Sequence, residues 1–290
     1  MNALKQWLAT KGCQGMGNLQ IAETVSEDGD VAGYGCFALK DFAVGDILFT
    51  VPQQCIFSYW NAMKFPLAEK MQEYATGSGA AEMVTAELLI WLEMSRQRQD
   101  PHSPFHVYLK SLNIEEPTIS SWHPELREAL EGTNLASMIS SSAADRLRQQ
   151  LALFQGFLAT YAEENKNETT FDTSLCWARG HYLSRRYPDE YVRATPSSTA
   201  ETHKRSCKRE DNFGNMGALV PLLDILNHRP GVAWLSFNAT EEALEVICNH
   251  PVKKGAELFS NYGALSNEIL LYTYGFASDD NVDDAVAVRM

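Results

Sequence analysis

The feature that most restricts the fold is a pair of look-alike segments at opposite ends of the chain. "VGDILFT" (Val44–Thr50) and "KGAELFS" (Lys254–Ser260) share a Gly-x-x-Leu-Phe core. Each places a glycine-bearing turn before a short, strand-like run. The first follows "AGYGCFALK", where Gly35–Leu39 reads as one strand and Ile47–Val51 as the next, closed by Pro52. The second follows "ALEVICNHPV", again strand, turn, strand. The match is too short to be a true repeat. It does require that both ends of the chain be β-rich.

The residues between read differently. "AEMVTAELLIWLEMSRQR" (Ala81–Arg98) puts Leu88, Trp91 and Leu92 at helical spacing. "HPELREALEGTNLASMI", "DRLRQQLALFQGFLATYAEE" and "TSLCWARGHYLSRRY" continue the helical periodicity, and "NALKQWLAT" opens the chain with Leu4, Trp7 and Leu8 on one face. The expected organisation is α+β: a β-rich segment over residues 1–60, a large helical insertion over 61–187, and a second β-rich segment over 188–290. An apolar content of 45% supplies a core for such a chain.

Composition narrows the function. The net charge of −13 disfavours a phosphate-backbone partner, so no direct nucleic-acid binding is expected. It favours a basic protein segment as partner, or serves solubility alone. No apolar run is long enough to span a bilayer, no early signal segment is present, and no membrane partner is expected. The six cysteines are scattered without a Cys-x-x-Cys pair, so free thiols, no metal, and a cytoplasmic or nuclear setting are expected. Lys204, Arg205, Lys208 and Arg209 form the one dense basic patch, within a polar stretch from Pro188 to Met216. It reads as a solvated loop or as the lip of a groove.

The common catalytic signatures are absent: no phosphate loop, no His-Glu-x-x-His zinc helix, no Gly-x-Ser-x-Gly elbow. Four constellations remain. "AGYGCFA" is a glycine-hinged strand, suited to a close ligand approach or to a bulge at a sheet corner. "LSRR" (Leu183–Arg186) ends a helix, where positive charge also suits the dipole. "PLLDILNH" sets Asp224, Asn227 and His228 in an apolar run, where polar groups need partners or a task. "SNYGALSNEILLYTYGF" gathers Tyr262, Tyr272 and Tyr274 near asparagines, as a packed corner or as a pocket for a polar atom.

Taken in order with "SPFHVYLKSL", "LEGTNL" and "WARGHYLSRRY", these segments resemble the SET-domain methyltransferases, in the branch of the Rubisco large-subunit lysine methyltransferase. The resemblance runs from Ala32 to Phe276. It implies a β-rich SET fold with a pseudo-knotted C-terminal segment around a large helical insertion. It implies a protein N-methyltransferase acting on lysine, with S-adenosyl-L-methionine as cofactor and a protein substrate. By resemblance, the cofactor residues are Ala32, Gly33, Tyr34, Asn227, His228 and Phe276. The substrate side is Arg185, Asp224, Tyr262 and Tyr274, with Tyr262 the catalytic tyrosine.

The chain also departs from the family. Ala32 stands where many relatives carry a charged residue. Trp234 and Phe237 stand near where lysine-directed relatives often place a further tyrosine. A histidine acceptor is therefore the alternative within the class, and a non-catalytic SET-fold binding module the alternative outside it. Relatives usually continue past Tyr-Gly-Phe into a helical substrate-binding domain, which the segment up to Met290 is expected to lack.

Overall fold

The computed structural model describes residues 1–25, 31–62, 64, 66–112, 118–119, 122, 124–139, 142–164, 175–188, 217–229, 236–240 and 243–286. The chain divides into two compact units. One comprises Met1–Phe57, Arg185–Leu265 and Asn281–Asp283, the other Ser58–Ser184, Ser266–Asp280 and Asp284–Met290.

The first unit holds strands β1 (Leu19–Val25), β2 (Val31–Ala38), β3 (Ile47–Pro52), β4 (Arg186–Pro188), β5 (Gly217–Leu219), β6 (Asn227–His228), β7 (Ser236–Thr240), β8 (Ala243–Ile247) and β9 (Glu257–Ser260). They form sheets ordered β1-β2-β9-β6, β3-β8-β7 and β4-β5. The look-alike segments supply β3 and β9, which lie in different sheets, and each pairs with a strand from the other end of the chain. Strand β2 pairs antiparallel with β9, and β3 with β8. Between them Phe42 and Val252 exchange backbone hydrogen bonds of 2.8 and 2.9 Å. Gly45 and Gly255 turn the two hairpin-like halves at φ of 91° and 85°, a region glycine enters without a Cβ clash. Strand β8 alternates, with Leu244 and Val246 buried, whereas β3 is buried at every residue from Leu48 to Val51. The opening helix Asn2–Thr10 buries Leu4 and Leu8 and leaves Trp7 partly exposed.

The second unit is helical. Its longest described helices are Pro66–Gly77, Ala86–Gln99 and Ser142–Glu164. The helix expected from Ala81 begins at Ala86, because the Thr85 side chain caps it by accepting the Leu88 N–H at 3.1 Å. The "HPELREALEGTNLASMI" stripe is two helices, Pro124–Glu128 and Asn134–Ile139. Gly132 at φ 81° breaks it, and Thr133 restarts it with its side chain.

The boundaries differ from the expected 1–60, 61–187 and 188–290. The helix Asn267–Tyr274 belongs to the helical unit, not to the β-rich one. Its Leu271 and Tyr272 pack on a cluster of Ile119, Leu130 and Leu135, since an amphipathic helix must bury its apolar stripe against a partner.

Candidate active site

In the β-rich unit, β6 lies parallel to β9, with Asn227 opposite Phe259 and His228 opposite Ser260. The register is extended by Arg229, whose N–H donates to the Ser260 carbonyl at 3.1 Å. The chain then turns at Asn261, whose Oδ1 accepts the Gly263 N–H at 2.9 Å. This turn carries Tyr262 back over the Asn-His pair. The Tyr262 backbone N–H donates to His228 Nδ1 at 3.1 Å, and its phenol donates to the Leu226 carbonyl at 2.9 Å. The two rings stack at 5.1 Å and 28°. A phenol has a single hydrogen. With that hydrogen committed to Leu226, the oxygen meets any further group as an acceptor.

Strand β2 lies across β9 from this point. Tyr34 is partly exposed, and its carbonyl accepts Asn227 Nδ2–H at 3.3 Å. A second Asn227 Nδ2 hydrogen bond, 2.7 Å long, goes to Glu257 Oε1. The two glycines of "AGYGCFA" do different things. Gly33 sits at φ +140°, and the position its Cβ would take is open space. That is a bare stretch of backbone that a ligand can approach closely. At Gly35 a Cβ would lie 2.5 Å from Glu257 Oε1 and 2.7 Å from Thr24 Cγ2, so this glycine makes room for a side chain of the protein itself. Ala32 lies in the backbone of β2; its side chain falls outside the described residues.

Arg185 and Asp224 are also brought together. Arg185 Nη1 donates to the Asp224 carbonyl at 2.9 Å and lies 3.6 Å from the carboxylate, whose side chain is 0% exposed. Burial of the Asp224 carboxylate beside a partly exposed guanidinium gives this pair a structural role. The turn that delivers Asp224 is strained: Leu222, a buried leucine, sits at φ 75°, ψ −44°, where a β-carbon is disfavoured. Tyr187 braces the same turn by donating to the Leu223 carbonyl at 3.2 Å.

Tyr274 and Phe276 lie in the helical unit. Tyr274 ends the helix Asn267–Tyr274, Gly275 caps it at φ 82°, and the Tyr274 and Phe276 rings are 6.3 Å apart. The tyrosines therefore part company: Tyr262 joins the Asn-His pair, and Tyr272 enters the helical core. Asn267 is structural. Its amide clips Ser278 through bonds of 2.9 and 3.0 Å. Trp234 and the basic stretch 203–209 lie outside the described residues, as does the Phe237 side chain. Among the described residues, no group of three or more His, Cys, Asp or Glu is placed to hold a metal. No described helix is long and apolar enough to cross a membrane.

Burial lowers the His228 pKa below the usual imidazole value, with a backbone hydrogen bond at Ser260 and the charge of Asp283 opposing in part. The ring is thus neutral at pH 7, as its acceptor role toward Tyr262 requires. The unfolded chain takes up this proton first, near pH 6.5. Stability linked to His228 is therefore intact above that pH and declines as the pH falls below it, until the folded imidazole also titrates. Melting temperatures between pH 7.5 and 5 should fall more steeply in the wild type than in His228→Asn, which keeps an acceptor but cannot charge. Equal slopes would remove His228 as the cause.

Sequence reasoning did not single out Glu257 or the Leu226 carbonyl. The first reads as one charged residue in a strand, and the second is a backbone atom with no residue signature.

Residues 33–263 match the SET domain family. Over 277 residues the chain is 25% identical to the N-lysine methyltransferase SETD6 of Mus musculus, covering 92% of this chain and 53% of that protein. It is 23% identical over 262 residues to the actin-histidine N-methyltransferase of Danio rerio, covering 89% and 40%. The chain thus spans about half the length of the curated relatives it matches. A crystal structure of the SET domain of LSMT bound to lysine and AdoHcy superposes with a TM-score of 0.70 at 20% identity, over 96% of this chain and 57% of that one. A structure of Rubisco LSMT bound to AdoMet gives 0.70 at 20% identity, over 96% and 56%. The fold is therefore that of the LSMT SET domain.

Proposed function

The chain belongs to the SET domain family, and from that premise we propose that it is an S-adenosylmethionine-dependent protein N-methyltransferase with lysine as acceptor. The observation that carries the reading is the return of Tyr262 onto the Leu226–His228 segment that bears Asn227, fixed by the parallel β6/β9 register, two hydrogen bonds and a ring stack on His228. The proposed setting is the cytoplasm or nucleus. The proposed substrate is a protein presenting a basic segment, drawn by a chain of net charge −13.

The residues present fit the cofactor. Gly33 offers open backbone, and Asn227, with Nδ2 occupied, offers a carbonyl oxygen to an N–H donor. When bound, S-adenosylmethionine supplies a methyl carbon made electrophilic by its sulfonium. The chain's own contribution is alignment of the incoming nitrogen, worth several orders of magnitude in rate. Tyr262 supplies an oxygen that only accepts, which suits an amine N–H or a polarised methyl group. A lysine is neutral in only about one molecule in 2,500 at pH 7, so the site must also favour the neutral amine. Desolvation and a nearby positive charge both do so.

Asn227→Ala should weaken S-adenosylmethionine binding roughly 10- to 100-fold, the range for a hydrogen bond to a charged group. Calorimetry measures this, and unchanged affinity would remove Asn227 from the cofactor site. The test of the function is label transfer. The protein is incubated with isotopically labelled S-adenosylmethionine and a methyl-depleted cell extract, and the label is mapped by mass spectrometry. Label on a lysine is expected. Label on histidine would replace the acceptor, and neither label nor cofactor binding would favour the binding module.

A further inference from the structure

Asn227 uses both amide hydrogens inside the protein, one on the Tyr34 carbonyl and one on Glu257. The 2.7 Å bond to Glu257 is the shorter of the two, and a carboxylate acceptor makes it charge-assisted. A carboxylate accepts and does not donate, so it fixes which end of the amide faces it. An amide flip would set the Asn227 oxygen against the Glu257 oxygen. The carboxylate reaches this place by passing over Gly35, where any Cβ would lie 2.5 Å from Oε1. The approach follows from the β2/β9 register, in which Phe37 faces Glu257 and Cys36 faces Leu258. Three strands distant in sequence thus each contribute one part: clearance from β2, carboxylate from β9, amide from β6.

We propose that Glu257 is a positioning residue for the cofactor site, that it orients the Asn227 carbonyl toward an N–H donor of the ligand, and that Gly35 is glycine to admit it. This rests on the reading of Asn227 as a cofactor contact. Glu257 touches neither reacting atom, so its loss should be felt in binding and not in the chemical step.

The experiment measures S-adenosylmethionine Kd by calorimetry, kcat and the cofactor KM by label transfer, and melting temperature. The proteins are the wild type, E257A, E257Q, G35A and the G35A/E257A double variant. For E257A a Kd raised about tenfold is expected, with KM following it and kcat at saturating cofactor within about twofold. E257Q, whose amide oxygen still accepts, should stay within about threefold of the wild type. G35A should weaken binding as E257A does, because the new Cβ displaces the carboxylate. In the double variant G35A should add little to the loss of affinity, since the carboxylate it displaces is gone and its remaining close neighbour, Thr24 Cγ2 at 2.7 Å, does not touch Asn227. Wild-type Kd in E257A, or additive losses in the double variant, would overturn the proposal. Should E257A fail to fold, the comparison of G35A with E257Q decides: a weakened G35A beside a near-normal E257Q supports it, and two normal affinities overturn it. A wild type that binds no S-adenosylmethionine would instead overturn the assigned function, so the two failures are distinct.

Discussion

Replacing Tyr262 by phenylalanine should lower methyl transfer by a factor of about 10²–10³, the scale seen when one fixed polar group is removed from a reacting centre. The change deletes a single oxygen. That oxygen spends its hydrogen on the Leu226 carbonyl at 2.9 Å and can act further only as an acceptor. The ring remains, and so does its stacking on His228, because neither depends on the hydroxyl. The backbone bond from Tyr262 to His228 Nδ1 is also untouched. Cofactor affinity should therefore stay within about threefold while kcat falls. A smaller loss of stability, about 1 kcal/mol, should accompany it, since the buried Leu226 carbonyl loses its donor. Steady-state kinetics beside a cofactor titration separate the two effects. Full activity in Tyr262→Phe would sink the catalytic assignment.

The second large effect is on stability. Arg185→Ala should destabilise the protein by about 3 kcal/mol, because it strips the neighbouring cation from a carboxylate that is 0% exposed. The Asp224 backbone carbonyl loses its 2.9 Å donor in the same step. Asp224→Ala should cost less, since a partly exposed guanidinium can turn to water. The double variant should be less damaging than the sum of the singles, because both remove the same interaction. Urea unfolding of the four proteins gives the cycle. Strict additivity would show that the two side chains do not stabilise one another, and would return them to a role in substrate contact alone.

Much of the local structure was legible. Helical stripes and strand alternation are local signals, and they located Asn2–Thr10, Ile47–Pro52, Ala86–Gln99 and Ser142–Glu164 to within a few residues. Asn227, His228 and Tyr262 stood out because polar and phenolic groups in apolar runs need partners. What failed did so for physical reasons. A stripe at helical spacing does not reveal that Gly132 will take φ 81° and cut it in two. Nothing local told Tyr262 from Tyr272, though one meets His228 and the other enters the core of the helical unit. Nor did anything local show that Arg185 and Asp224, both expected on the substrate side, also meet each other.

The sequence by itself determined the β-rich ends, the helical middle and the polar residues that demanded an explanation, because all of these are written in neighbours along the chain. Only the tertiary structure decided who meets whom. Tyr34 and Asn227 are 193 positions apart when they share a hydrogen bond. The two Gly-x-x-Leu-Phe segments show their kinship in sequence, yet not that one pairs with β8 and the other with β2, nor that Phe42 and Val252 just before them bridge the two ends. Backbone pairing between distant strands uses N–H and C=O groups that every non-proline residue carries, so register has no residue signature. That register sets Glu257 over Gly35 and beside Asn227, and it carries Tyr262 back onto His228.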